Sequence, residues 1–136
     1  DLIVETKDHL PNIIHALEQL AYSFCGEMGI TDRFAFKQLS EATPVDGSNT
    51  QWIKHHLYVC QRNSAALKNH ITFRDALRNN RDLAAQYGQL KRYLAANTTD
   101  MDQYVKQKTA FIISILQSEG IDPATLRSIE KDNLEV

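Results

Sequence analysis

Asp1 and Glu5 flank a short β-branched run, Leu2-Ile3-Val4. On a strand the two acids share a parity but stand about 13 Å apart, too far to clamp one ion. Ile3, where a second metal-binding carboxylate would need to stand, is apolar. The Asp-x-Asp pair that holds a cation against a phosphate is therefore not present in these residues. His55 and His56 are adjacent, so on a strand they point to opposite faces and cannot hold one metal as a simple pair. One should face the buried or ligand side of the sheet and the other the helices or solvent. Either serves without function as a hydrogen-bonded core histidine, and the functional reading is a strand-borne ligand or base facing a cleft. Cys25 lies near a turn and Cys60 ends a strand-like run; both read as small buried hydrophobes rather than nucleophiles. The chain has no Gly-rich phosphate loop, no Cys-x-x-Cys and no His-x-x-x-His.

Charge is uneven. Between Lys54 and Arg92 there are eight basic residues and two acids, net +6, which leaves −8 for the rest of a chain at −2. An electropositive centre in an acidic protein suits a compact anion such as a phosphate or a nucleotide tail, although for any single residue a solvated helix face is the better explanation. Arg74 lies on the Leu67/Ile71 side of its helical pattern, so it is expected to be partly buried and to need a carboxylate or phosphate partner.

These residues need elements to hold them. Leu2-Ile3-Val4 reads as a mostly buried strand. A helix follows, with Asp8 as N-cap and Pro11 in the first turn, and with Leu10, Ile13, Ile14, Leu17, Leu20 and Ala21 as its stripe. Beyond Tyr22 the period becomes two: Phe34 and Phe36 alternate with Arg33, Ala35 and Lys37. Residues 41–50 form a surface loop. Residues 51–60 read as another strand, with Trp52, Lys54, His56 and Tyr58 on one face. Ser64 is placed to cap a helix through about Asn79, Asp82 to cap the next, and Asp100 with Gln103 to open a third that carries Met101, Tyr104, Lys108, Phe111, Ile112 and Ile115. Gly120 suits its end, and Asp122-Pro123 restarts a short, frayed helix. Strand, helix, strands and then helices give an α+β class, with C-terminal helices packed beside a small mixed sheet. The expected organisation is one domain over 1–121 and a polar C-terminal extension over 122–136.

At 136 residues, 43% hydrophobic and 24% charged, the chain is neither disordered nor low-complexity. No apolar run is long enough to span a bilayer. A net charge of −2 argues against wholesale wrapping of nucleic acid, so no membrane or nucleic-acid partner is expected. Two cysteines make no disulfide framework, which fits a reducing cytoplasm. The chain opens without Met on a strand in progress, so an N-terminal piece of the domain is expected to lie outside it.

Phe73-Arg74-Asp75-Ala76-Leu77-Arg78, then Tyr87-Gly88-Gln89-Leu90-Lys91, then Tyr104-x-x-x-Lys108-x-x-Phe111-Ile112, together resemble the GrpB family. Gly29-Ile30-x-Asp32-Arg33-Phe34-x-Phe36-Lys37 and His55-His56-Leu57-Tyr58-Val59-Cys60 agree with it, and the match runs from Asp1 to about Leu116. The family looks like a branch of the nucleotidyltransferase fold and is sometimes fused to dephospho-coenzyme A kinase. Its Gly-Ser segment is expected ahead of Asp1. Ala76 stands where the family usually has tyrosine, and Tyr58 where it usually has histidine, which makes His56 the better cleft histidine.

The resemblance implies nucleotidyl transfer with a divalent cation, Mg²⁺ or Mn²⁺. Asp1 would hold the metal, His56 would be a second ligand or catalytic base, and Arg33, Arg74 and Lys91 would hold phosphates. A module that binds a nucleotide or coenzyme A-type anion without catalysis uses the same cations, and the apolar Ile3 favours it. A third reading makes Phe-Arg-Asp an internal clasp with a purely structural role. The implied partner in the first two is a small anionic ligand such as a nucleotide.

Overall fold

The computed structural model describes residues 1–134, the side chains of Met101 and Leu134 excepted. Met101 on the fourth helix, and the last two residues of the 122–136 extension, thus fall outside what is described. The chain divides into two compact units, Asp1–Leu67 and the residues from Lys68 onward.

The first unit is a four-stranded sheet with one helix. Its strands are β1 (Leu2–Val4), β2 (Tyr22–Phe24), β3 (Arg33–Gln38) and β4 (His56–Gln61), and α1 (Leu10–Gln19) connects β1 to β2. The order is β1-β4-β3-β2. β1 runs parallel to β4 and the other pairs are antiparallel, so the sheet is mixed. Alternation along the strands puts Val4, Tyr22, Phe34, Phe36 and Val59 on one face. There they pack with Leu17 and the half-buried Leu10, Ile13, Ile14 and Leu20 of α1. This is the unit's core, as the stripe and the Phe34/Phe36 alternation lead one to expect.

Three details differ from expectation. β1 is an edge strand, so Leu2 and Ile3 remain 44% and 48% exposed and only Val4 is buried. The cap before α1 is Thr6, whose hydroxyl accepts from the Asp8 N–H and closes a 3₁₀ turn over Lys7–His9; Asp8 lies inside that turn. Residues 51–55 are not strand. The Trp52 N–H donates to the Glu41 carbonyl at 2.7 Å, and the Gln38 side chain takes the His55 N–H at 2.9 Å. Hydrogen bonds that would extend the ladder go to the loop instead, and Ile53 stays 86% exposed. The loop is tied down by Thr43, fully buried, whose hydroxyl donates to the Ala21 carbonyl at 3.1 Å.

α2 (Ala65–Asn79) begins at the end of the first unit. Ser64 caps it as expected, its hydroxyl accepting from the Leu67 N–H. The second unit continues with α3 (Arg81–Asn97), α4 (Met101–Ser118) and α5 (Pro123–Leu134). Asn80, not Asp82, caps α3, taking the Leu83 N–H at 3.0 Å. Asp82 instead stands in the first turn, where its charge suits the helix dipole. Asp100 caps α4, and Gly120 ends it at φ +82°, a conformation that an L side chain resists. The Asp122 carboxylate accepts from the Ala124 and Thr125 N–H groups and the Thr125 hydroxyl, which holds its pKa below the ordinary carboxylate value. α5 is therefore a capped helix, and Leu126 and Ile129 pack with Leu116 and Ile121. No described helix is long and apolar enough to cross a membrane.

Candidate functional site

Pairing of β3 with β4 builds a second, different face on the sheet. Arg33 is opposite Cys60, Ala35 opposite Tyr58, and Lys37 opposite His56. Opposed residues point the same way, so these six share the face away from α1. The Arg33 guanidinium carbon stands 4.5 Å from the centroid of the Tyr58 ring. The His56 ring lies on the same tyrosine, nearly parallel at 7° and 6.3 Å between centroids. Guanidinium, phenol and imidazole thus form one row. At the Arg33 end, Cys60 is fully buried; burial pushes its thiol up, against an opposing pull from Arg33. That is an inert thiol, as its strand-end position suggests.

The His56 end opens into a cleft of about 520 Å³, lined by Lys37, Lys54, His55 and His56 with Gln38, Ser40 and a single acid, Glu41. Gln38 shapes one wall, donating to the Thr43 and Ile53 carbonyls. His55 shapes another. Its Nδ1 lies 2.9 Å from the Ile53 carbonyl, and its Nε2 lies 2.7 Å from the Tyr22 hydroxyl. A carbonyl only accepts, so Nδ1 carries the hydrogen, and in the neutral ring Nε2 accepts from Tyr22. His55, just before β4, is the bridging histidine and His56 the exposed one, and both line the cleft.

The carboxylates of the first strand behave differently from each other. Glu5 is held by Arg62, whose Nε reaches both its oxygens at 2.7 and 2.8 Å, and this keeps the Glu5 carboxyl below its usual range. Asp1 precedes β1 on the parity of Ile3, and Ile3 is the residue opposite Cys60. In the second unit Arg74 is not buried. Its side chain is 49% exposed, and its Nε donates to Asp75 Oδ1 at 2.8 Å, so its neighbour in sequence meets the need that was expected to be met in the core. Lys91 stands over the Tyr87 ring at 5.5 Å.

In the first unit an Asp1 carboxylate oxygen and the Cys60 sulfur lie within 4.8 Å of each other. An oxygen and a sulfur suit Zn²⁺ or another borderline ion better than Mg²⁺, which prefers oxygen throughout.

The sequence pattern of the family described as "GrpB protein" matches residues 1–118. The chain belongs to the GrpB family. It is 28% identical over 115 residues to the UPF0157 protein YqkA of Bacillus subtilis (strain 168), covering 82% of this chain and 31% of that protein. The chain thus spans under a third of the curated relative it matches. It is also similar to the crystal structure of conserved protein GrpB from Enterococcus faecalis, with a TM-score of 0.58 and 27% identity over 98% of this chain and 66% of the other. Within this GrpB chain the motif residues Arg33 and His56 flank one ring in the first unit, and Arg74 and Lys91 belong to the second. Lys37 and Lys54 of the cleft were not singled out as ligands in the sequence. Lys37 shows only as the alternate residue of a strand, and Lys54 only as part of the basic stretch.

Proposed function

We propose that the first unit binds a small phosphorylated anion of the nucleotide or coenzyme A type on the polar face of its sheet. The observation that carries this reading is the row Arg33–Tyr58–His56 opening on the cleft that Lys37 and Lys54 line. A guanidinium held on a ring is pre-oriented for bidentate contact with phosphate oxygens. Two ammonium groups and an exposed imidazole beside one carboxylate favour further negative charge. In the second unit Arg74 and Lys91 are the candidate phosphate residues, Arg74 the weaker because Asp75 already holds it. Both cysteines are free, which supports a cytoplasmic setting.

A second reading, metal-dependent nucleotidyl transfer, is favoured by Asp1, which shares its strand parity with the polar-face residue Ile3. Asp1 would hold Mn²⁺ or Mg²⁺, whose chemistry is charge neutralisation at the phosphate. A hydroxyl acceptor would attack the α-phosphorus, the bond to the β-phosphate would break with its electrons on the leaving pyrophosphate, and His56 would take the proton.

Thermal-shift measurements on the full-length protein with ATP, CTP, GTP, UTP and coenzyme A test both readings, each with and without Mg²⁺ or Mn²⁺. A ligand that binds only the folded state raises the midpoint. The expected result is a rise with at least one compound that Arg33→Met reduces. A flat response to all of them overturns both readings. A rise that is identical with and without metal, and no pyrophosphate release, leaves binding and removes transfer.

A further inference from the structure

The second unit holds a group of side chains that the sheet-face reading does not use. Tyr87 of α3 stacks on Phe111 of α4, with centroids 5.5 Å apart and planes 18° from parallel, and meets Phe73 of α2 edge-on at 5.1 Å. Lys91, one turn after Tyr87, places its ammonium over that ring at 5.5 Å. Lys108, one turn after Tyr104 on α4, places its ammonium over that second ring at 5.3 Å. Two neighbouring helices each hold a lysine on a tyrosine face. Half-burial of Lys108 lowers its pKa below the ordinary lysine value, and the charge of Lys91 lowers it further.

Among the described residues, no carboxylate pairs with either lysine. Elsewhere the same chain does supply such partners: Lys7 has Asp32, Arg62 has Glu5, and Arg74 has Asp75. A ring face offsets only about 0.5–2 kcal/mol of an ammonium's lost hydration. A half-buried ammonium such as that of Lys108, with no carboxylate partner, is a costly arrangement that a bound anion would relieve.

We propose that Lys91 and Lys108, with the tyrosines beneath them, form an anion site in the second unit that takes a phosphate or pyrophosphate group. Two point-like ammoniums suit a multiply charged group with oxygens in several directions better than a planar carboxylate. The site stands on its own residues and does not depend on binding at the sheet.

The test is an NMR titration of the full-length protein carrying ¹³C-labelled lysine, with inorganic phosphate, pyrophosphate and ATP added at constant ionic strength. The ε-methylene signals of Lys91 and Lys108 should move together and saturably, and the titration midpoint of Lys108 should rise when pyrophosphate is bound. Lys108→Met should weaken binding at least tenfold, and so should Lys91→Met. Arg33→Met should leave this response intact, so failure of the sheet-face reading is distinguishable from failure here. Response to ATP alone would assign the site to a nucleotide, and response to phosphate or pyrophosphate would assign it to the phosphoryl group itself. No movement, or equal drift of all lysines, overturns the proposal, and the wild-type titration decides it even if a variant does not fold.

Discussion

The two faces of the four-stranded sheet are made from the same two central strands and have opposite chemistry. On one, Phe34, Phe36 and Val59 pack with α1, with Gln38, the Tyr22 hydroxyl and the Lys7 ammonium over Phe34 at the margin. On the other, the alternate residues of those strands are Arg33, Lys37, His56 and Tyr58. The first face supplies the burial that folds the unit, at about 25 cal/mol per Å² of apolar surface. The second mixes the buried Ala35 and Cys60 with its cations, so only part of it contributes to folding in the same way. The second unit repeats the division: Leu116, Ile121 and Leu126 close one region, while Lys91 and Lys108 ride on tyrosines in another.

The largest effect expected lies on the closed face. Phe36 is 1% exposed and contacts Phe24 with centroids 5.2 Å apart. Phe36→Ala should cost about 3–5 kcal/mol in urea unfolding of the full chain, through lost transfer energy and a cavity. A loss below about 1 kcal/mol would mean that the face is not the core.

At the margin between the faces, Tyr22→Phe removes the hydroxyl that donates to His55 and should cost about 1 kcal/mol. The ring stays packed, so the change isolates the hydrogen bond. An unchanged midpoint would show that His55 finds water there as easily.

Much of the closed face was legible in the sequence, and little of the open one. Phe34 and Phe36 alternate with polar residues, and α1 carries its stripe at helical spacing, so each element announces its buried side by itself. The Arg33–Tyr58 contact depends on register between strands 25 residues apart in sequence, and neither strand alone contains it. The alternation from Trp52 to Tyr58 runs on past the true start of β4, because the Gln38 amide captures the backbone at His55 from another strand. Asn80 and Asp82 are both good caps, and only the observed turn distinguishes them. Lys108 was legible on the stripe with Tyr104 and Phe111, but the stacking of Tyr87 on Phe111 depends on the packing of a second helix.

Lys108 sharpens the comparison through pH. Its folded pKa is below that of the unfolded chain, near 10.4, so between the two values the unfolded state binds more protons. Stability should therefore rise with pH through that window, and the penalty should be complete below the folded pKa. Lys108→Met should be more stable than wild type at pH 7 by less than about 1 kcal/mol, the charge being half in solvent. The gap should close as pH approaches 10; above that, Tyr87, whose phenol burial pushes up, would add an opposite slope. Urea midpoints of both proteins from pH 7 to 10 check the sign, and a gap that widens with pH would contradict it.

Arg74→Ala should have the smallest effect, within about 0.5 kcal/mol. Its partner Asp75 is adjacent in sequence, both side chains are nearly half exposed, and such pairs contribute little against solvent and side-chain entropy. Alanine and arginine are both good helix formers, so α2 loses nothing in propensity. Had Arg74 been buried against a carboxylate, its removal would have left that acid uncompensated at a cost of about 3–5 kcal/mol. A measured loss above about 2 kcal/mol would therefore place Arg74 in a buried network. It would also set Arg74 apart from Arg62, whose bridge to Glu5 is exposed.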